Sequence, residues 1–171
     1  MALLRILEFP DPVLKEKAKP LDGINPAIEK LIRDMAETMY QAPGVGLAAN
    51  QVGVPRQVLV ADVSSAEEAR NTIVLVNPKI IERSDETETA EEGCLSVPDF
   101  RAEVERAVRI VVLAKDLQGE DLEVTAEGFF ARVLQHEIDH LCGTLYIDHI
   151  GKLKRQRYVR QRKKALAADN K

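Results

Sequence analysis

Apolar side chains recur with a helical period in the N-terminal part of the chain. Asn25 followed by Pro26 is typical of a helix start, because asparagine caps free N–H groups and proline fits the first turn. Apolar residues then follow at intervals of three or four positions as far as Met39. This pattern predicts a helix that ends before Pro43.

A second helical pattern begins near Ala126 and should end at Gly143, since glycine readily adopts the left-handed conformation that often follows a helix. A third helix is predicted to begin near Gly151, in a segment rich in Lys and Arg. The apolar positions of the second helix are Phe129, Phe130, Val133, Leu134, Ile138 and Leu141.

Several short runs between these helices have the composition and alternation of β-strands. The glycine-rich segment 44–53 is predicted to be a loop, and the polar segment 64–71 a mobile loop. A helix, many strands and a helix, in this order, indicate an α+β domain in which antiparallel strands surround a central helix. The predicted strands are residues 57–62, 72–77, 79–83, 86–91, 101–106, 108–116 and 122–125.

The composition favours a single globular domain with an aliphatic core. The chain has 171 residues, of which 45% are hydrophobic and only 4% aromatic. No apolar stretch reaches the 18 residues that suggest a transmembrane helix, and the N-terminus lacks the features of a signal peptide. We therefore expect a cytoplasmic protein, in which two cysteines form no disulfide framework.

Positive charge is concentrated at the C-terminus. Residues 152–171 hold 9 of the 24 Lys and Arg but 1 of the 28 Asp and Glu, so this tail carries +8 and the remainder −12. A basic tail on an acidic body suggests contact with a polyanion, such as nucleic acid or an anionic membrane. The alternative is a solvated, partly frayed C-terminal helix.

The second helix carries the sequence H-E-x-x-H, which is typical of hydrolytic metalloenzymes. His136 and His140 are one turn apart, so both can reach one metal ion, and Glu137 lies beside them to take a proton from water. The alternative is a helix with two surface histidines. We expect residues 1–150 to form a single catalytic metallohydrolase domain, with residues 151–171 as a basic helix packed on it or extending from it.

A catalytic metal site of this kind needs a third protein ligand. His149 is a poor candidate, because metzincins place the third histidine where Tyr146 stands here, so we expect a surface role for His149. Cys94 lies in a segment suited to a bent strand or turn and is a better candidate, although free cysteines are often simply buried. Cys142 lies about 200° around the helix from His140 and is assigned to packing.

Three segments together resemble the signature motifs of the peptide deformylase family. They are residues 44–53, 92–96 and 135–143, which match the family in order and spacing, and the chain length matches its compact bacterial form. The resemblance implies a hydrolase that removes the formyl group from the formyl-methionyl N-terminus of nascent polypeptides and releases formate.

The resemblance also implies roles for individual residues. Fe²⁺ would be held by Cys94, His136 and His140, with Glu137 as the general base and acid. An oxyanion would be bound by the Gln51 side chain and the backbone N–H of Leu95, while Gly46 would contact the substrate backbone. The side-chain pocket would be lined by Val45, Val133 and the stem of Arg101.

Further expectations concern the metal and the partners. The ligands alone favour Zn²⁺, whereas Fe²⁺ follows from the resemblance, with Zn²⁺, Ni²⁺ or Co²⁺ as possible substitutes. Glu92 could orient a metal ligand or Arg101. We expect a monomer without a membrane partner, and the resemblance implies that its tail docks on ribosomal RNA. The basic residues concerned are Lys152, Lys154, Arg155, Arg157, Arg160, Arg162, Lys163 and Lys164.

Two other functions remain open on the residues alone. A zinc endopeptidase could use the same pentapeptide, but it would need a third ligand downstream of His140. An RNA-binding module could carry a structural metal, but such a site would normally have four protein ligands.

Overall fold

The computed structural model describes residues 2–170, which form three α-helices and two antiparallel sheets. The helices are α1 (Pro26–Gln41), α2 (Gly128–Leu141) and α3 (Lys152–Asp169). The strands are β1 (Gly46–Ala48), β2 (Val58–Ala61), β3 (Ile73–Arg83), β4 (Thr87–Cys94), β5 (Val97–Ala107), β6 (Arg109–Lys115) and β7 (Asp121–Glu127). Short 3-10 helices cover Pro12–Lys15, Ala49–Val52 and Tyr146–Asp148.

The helix boundaries follow the signals in the sequence. The Asn25 side chain accepts a hydrogen bond from the backbone N–H of Ile28 at 3.0 Å and caps α1. Helix α2 stops where Gly143 takes a left-handed conformation with φ of 74°. A Cβ atom at Gly143 would collide with the carbonyl oxygen of Lys15, so this turn also requires close backbone approach.

The larger sheet has the strand order β1-β2-β3-β6-β7, and every neighbouring pair is antiparallel. Residues alternate in direction along β2, so Leu59 packs with Leu134 and Ile138 of α2, whereas Val58 and Val60 join a second cluster with α1. Helix α2 is buried along nearly its whole length. The predicted α+β fold, with antiparallel strands around the helix that carries H-E-x-x-H, is confirmed.

Strands β4 and β5 form a separate hairpin, and Cys94 is the last residue of β4. This hairpin packs with the N-terminal segment, the 3-10 turn near Tyr146 and helix α3 in a third cluster. Tyr158 of α3 is buried, and its ring stacks on Phe100 with centroids 4.6 Å apart. Helix α3 is therefore docked on the body through Tyr158 and continues to Asp169.

Three local predictions were wrong. The predicted loop 44–53 contains strand β1 and a 3-10 helix. The two predicted strands 72–77 and 79–83 are one strand, β3, interrupted by a bulge where Asn77 has a φ of 51°. Pro78, which cannot donate a hydrogen bond, is accommodated at this interruption of the ladder. The assignment of Cys142 to packing was also wrong. Cys142 follows Leu141, the last residue of α2, and its side chain is exposed to solvent.

Two further expectations concerned a mobile loop at residues 64–71 and the absence of a transmembrane helix. The mobility of segment 64–71 stays a prediction, although Asp62 ties both ends of the segment by accepting hydrogen bonds from the backbone N–H groups of Ser64 and Asn71. Within residues 2–170, no helix has the length and apolar character needed to cross a bilayer.

Candidate metal centre

Helix α2 and the end of β4 bring three potential metal ligands together. The Sγ atom of Cys94 lies 3.3 Å from Nε2 of His140, which is in turn 3.3 Å from Nε2 of His136. Ligands at metal bond lengths of about 2.0–2.3 Å around a tetrahedron are about 3.3–3.8 Å apart. Two of the three separations are therefore already those that one bound ion would impose, and all three ligand atoms lie within 4.8 Å of one another.

The chemistry of the three donors also fits a metal ion. They are the only cluster of at least three His, Cys, Asp or Glu ligand atoms of this kind within residues 2–170. Burial holds the pKa of His140 well below its usual value, which favours the neutral imidazole that binds metals. One thiolate and two imidazoles leave a fourth tetrahedral position open for water or substrate.

Glu92 holds His136 in place from behind. Its Oε2 atom lies 2.9 Å from Nδ1 of His136, which leaves Nε2 pointing toward the other ligands. Glu92 also accepts hydrogen bonds from Nε and Nη2 of Arg106, at 2.8 and 3.0 Å, and from Nη1 of Arg132 at 2.9 Å. Burial alone would raise the pKa of the Glu92 carboxyl, but the hydrogen bonds from His136 and Arg106 lower it to about 2.

These contacts answer the two expectations for Glu92. It contacts a metal ligand, as one of them proposed. It does not contact Arg101, whose Nε atom instead donates to Glu91 at 2.7 Å on the exposed edge of the hairpin. Arg101 pairs with Glu91 instead, because Glu91 and Glu92 are consecutive in β4 and their side chains project to opposite faces.

Glu137 is buried beside the three ligands, and burial raises its pKa to about 7. Its Oε2 atom has no hydrogen-bond partner among the described residues. The carboxylate lies directly against strand β1, where a Cβ atom added at Gly46 would be only 2.5 Å from Oε1. Glycine at this position therefore makes room for the Glu137 carboxylate.

Gln51 lies beside Cys94 in the wall of the same site. Its Oε1 atom accepts a hydrogen bond from the backbone N–H of Ala48 at 2.9 Å, and its Nε2 atom donates to Oγ of Ser96 at 3.1 Å. The same Nε2 atom is 3.6 Å from Sγ of Cys94. The amide is thus oriented with its donor toward the metal ligands.

A cleft of about 750 Å³ opens above these residues. Val133 is buried in its wall, Leu95 is half-buried, and Val45 and Arg101 lie exposed at its rim. All ten residues singled out from the sequence as metal, catalytic or substrate-binding candidates are gathered in or directly beneath this cleft. His149 lies outside the ligand cluster and is exposed.

The family model described as polypeptide deformylase matches residues 3–156 of the chain. The chain belongs to the polypeptide deformylase family. It is 48% identical to the peptide deformylase of Rhizobium meliloti (strain 1021) over 165 residues, which are 96% of this chain and 95% of the relative. The peptide deformylase of Nitrosococcus oceani is 50% identical over 165 residues, again 96% of this chain and 95% of that protein.

Solved deformylase structures agree with this assignment. The crystal structure of peptide deformylase from Ehrlichia chaffeensis has a TM-score of 0.92 and 36% identity, covering 99% of this chain and 100% of that one. A second deformylase, from Legionella pneumophila, gives a TM-score of 0.89 at 42% identity and covers 98% of both chains. The family resemblance, the compact length and the class of metallo-hydrolase that removes the N-formyl group from nascent polypeptides are thereby confirmed.

The sequence analysis did not identify several residues that lie around the metal centre. Phe129 was predicted only as an apolar position of the second helix, and the structure places it 60% exposed at the mouth of the cleft. The spacing offered a signal, because Phe129, Val133 and Glu137 follow at intervals of four residues on one helical face. Arg106 and Ser96 gave no such signal, since their partners are distant in sequence.

Proposed function

We propose that the chain hydrolyses the formamide of formyl-methionyl N-termini with Cys94, His136 and His140 as ligands of one metal ion. The observation that carries this proposal is the position of Glu137. A buried carboxylate, whose Oε2 atom has no hydrogen-bond partner among residues 2–170, lies beside three donor atoms that are within 4.8 Å of one another. A purely structural metal site would need a fourth protein ligand in place of this carboxylate.

Glu137 serves as the general base and then as the general acid. Cys94, His136 and His140 would hold a divalent ion, which when bound would supply a Lewis acid that polarises the formyl oxygen and lowers the pKa of water. Glu137 accepts a proton from water while the water oxygen bonds to the formyl carbon. Glu137 later returns this proton to the amine nitrogen. The C–N bond then breaks, and formate and a free α-amine are released. Burial, which raises the pKa of Glu137, favours a carboxyl group that can both accept and return a proton.

Gln51 and Leu95 stabilise the negative charge that develops on the formyl oxygen. The Nε2 atom of Gln51 is already oriented toward Cys94 by its contacts with Ala48 and Ser96. The backbone N–H of Leu95, the residue after Cys94, supplies the second donor. Preorganised donors of this kind each contribute about 2.7–4 kcal/mol to transition-state stabilisation.

The cleft binds the methionyl side chain and the peptide backbone. Val45 and Val133 provide apolar surface, the stem of Arg101 closes one side, and Gly46 allows the substrate backbone to approach β1. Crystal structures of relatives support this use of the cleft. A deformylase from Acinetobacter baumannii has been solved with Met-Ala-Ser bound, at a TM-score of 0.83 and 38% identity over 87% of this chain and 99% of that one.

The native ion in this proposal is Fe²⁺. One thiolate and two imidazoles bind several divalent metals, so Zn²⁺, Ni²⁺ or Co²⁺ can occupy the same ligands in a purified sample. The thiolate of Cys94 also makes the centre sensitive to oxidation, since conversion to a sulfinic or sulfonic acid removes a ligand. Loss of activity in air is the expected behaviour of the Fe²⁺-loaded protein.

We further propose that residues 1–150 form the catalytic domain and that the basic helix which follows docks on the ribosome. Arg155 and Arg162 bind Asp148 and Glu8 within the chain, which limits their availability to an RNA. The remaining cations of the predicted set are exposed and supply the phosphate contacts. They are Lys152, Lys154, Arg157, Arg160, Lys163 and Lys164. The protein acts in the cytoplasm as a monomer, which gel filtration would test.

The decisive experiment measures formate release from formyl-Met-Ala-Ser by protein prepared without oxygen and loaded with Fe²⁺. Wild type should turn over rapidly. Cys94→Ala should lose both metal and activity, whereas Glu137→Gln should keep its metal and lose about 10³-fold in kcat. Internal cleavage of unblocked peptides by wild type, without formate release, would favour the zinc endopeptidase instead.

A further inference from the structure

A line of charged groups connects the metal ligand His136 to the protein surface. Behind His136, Glu92 is held by a pair of hydrogen bonds from Arg106. The Nη1 atom of Arg106 donates to Oδ2 of Asp139 at 2.6 Å. The same Oδ2 atom lies 2.8 Å from Nε2 of His149, whose side chain is 39% exposed. Five side chains thus link a metal ligand to an exposed histidine.

The interior part of this line has little freedom. The side chains of Glu92 and Arg106 are only 5% and 6% exposed, so each must have its charge and hydrogen-bonding groups satisfied in one arrangement. Arg106 presents Nε and Nη2 to Glu92 and Nη1 to Asp139, so its guanidinium is fixed between two carboxylates. Displacement of Asp139 would therefore be transmitted to Glu92.

Asp139 itself is less confined, since its side chain is 23% exposed at the outer end of α2. Its Oδ2 atom receives Arg106 from the interior and His149 from the surface. His149 is held in turn by its backbone, because its N–H donates to the carbonyl oxygen of Tyr146 at 3.0 Å. The ring of Tyr146 stacks on His136 with centroids 6.0 Å apart. The segment that carries His149 therefore contacts the metal ligand directly as well as through the charged groups.

We propose that His149 is a positioning residue of the metal centre, and that it acts through Asp139 and Arg106. By fixing the Asp139 carboxylate, it keeps the Arg106 guanidinium paired with Glu92. Glu92 then accepts the Nδ1–H of His136 and holds Nε2 of that ring unprotonated for the metal. This inference rests on the ligand set proposed above. It gives a role to the one histidine of the three that does not face the metal.

Four variants test the proposal, each titrated with Co²⁺ and followed by the thiolate-to-cobalt absorption. Asp139→Asn should weaken Co²⁺ binding about tenfold, which is typical when a partner of a ligating histidine is altered. His149→Ala should weaken it about threefold, because its pair with Asp139 is partly solvated. His149→Gln should restore most of the affinity, since the amide can donate to Asp139. Asp148→Asn is the control.

Asp148 neighbours His149 and is also paired, with Lys15 and Arg155, but it has no contact with Asp139 or Arg106. Its replacement should lower the unfolding temperature without changing Co²⁺ affinity. In the Zn²⁺-loaded protein, the Nδ1–H proton resonance of His136 should shift in His149→Ala and return in His149→Gln. Because the chain has only three histidines, these signals can be assigned by substitution.

The outcomes separate this inference from the proposed function. Wild-type Co²⁺ affinity and an unmoved His136 resonance in His149→Ala would overturn the positioning role. Equal loss of affinity in Asp148→Asn, or no recovery in His149→Gln, would also overturn it, because the effect would then be general to the segment. Failure of the wild-type protein to show a cobalt–thiolate absorption would instead overturn the ligand set itself.

Discussion

The metal centre and helix α3 both concentrate charged residues, but the two regions differ in burial. Glu92, Arg106 and Arg132 are all buried, and every one is paired with at least one other charged group. Most cations of α3 are exposed. A buried charge must be paired with a partner in one fixed arrangement. An exposed charge is solvated by water, so its side chain can adopt many arrangements.

This difference explains how each region can function. Buried, mutually paired charges fix His136 to within the tolerance that metal ligands need. Exposed cations on one helix cannot position a reacting atom, but they can attract a polyanion whose phosphates are spread along a surface. Arg106 is therefore needed for the structure of the metal centre, whereas Arg160 contributes only a positive charge that another cation could supply.

The largest expected difference comes from replacing these two arginines with methionine. Arg106→Met leaves the Glu92 carboxylate without two of its buried hydrogen bonds and should lower the free energy of unfolding by about 3–5 kcal/mol. Arg160→Met should change it by less than about 0.5 kcal/mol. Urea unfolding at constant metal concentration measures both. Equal losses of unfolding free energy in the two variants would show that burial does not decide how much an arginine contributes to stability.

A second prediction concerns the space beside Glu137. In Gly46→Ala, the new Cβ atom would displace the buried carboxylate, so kcat for formyl-Met-Ala-Ser should fall about 100-fold. Binding of Co²⁺ should persist, because no ligand is touched. Gly23→Ala is the matched control, since nothing lies within 4 Å of its Cβ position. Unchanged kcat in Gly46→Ala would contradict the tight fit of Glu137 against β1.

The third prediction extends the comparison to a paired carboxylate outside the centre. Although burial opposes it, hydrogen bonds from Ser64 and Tyr40 lower the pKa of Asp62 to about 2, below the 3.8 of an unpaired carboxyl. The folded state therefore gains stability from ionised Asp62 above about pH 4, and loses it as the pH falls toward 2. The contribution is on the order of 1–2 kcal/mol.

Asp62→Asn should remove this part of the acid dependence. Its stability deficit relative to wild type should be largest at neutral pH and shrink between pH 4 and 2. Chemical unfolding followed by circular dichroism at several pH values measures the difference. A deficit that stays constant across this range would mean that the ionised form of Asp62 is not what stabilises the loop.

The smallest effect on catalysis is expected from the tail. Neutralising Lys163 and Lys164 as glutamines should leave hydrolysis of formyl-Met-Ala-Ser unchanged, because both side chains are exposed on α3. Ribosome binding should weaken, and the dependence of log affinity on log salt should fall by about 1 for each lost phosphate contact. Tyr158→Ala should behave differently and destabilise the body, since Tyr158 is buried against Phe100. Unaltered ribosome affinity in the double variant would refute docking through this helix.

Much of the local structure could be predicted because its causes are local. The cap at Asn25 and the stop at Gly143 depend on a few neighbouring residues, and both helix boundaries were confirmed within two residues. The bulge at Asn77 could not be predicted in the same way. It depends on hydrogen bonds between the Asn77 side chain and the backbone of Leu21, 56 residues earlier.

By itself, the sequence determined the class of fold, the order of elements and the spacing of His136, Glu137 and His140 on one helical face. These features follow from the periods of helices and strands, which a short segment expresses alone. Only the tertiary structure decided how Glu92 meets His136, 44 residues away, and how Gly46 meets Glu137. Such contacts depend on how the elements pack, because burial forces distant polar groups to find partners across the fold.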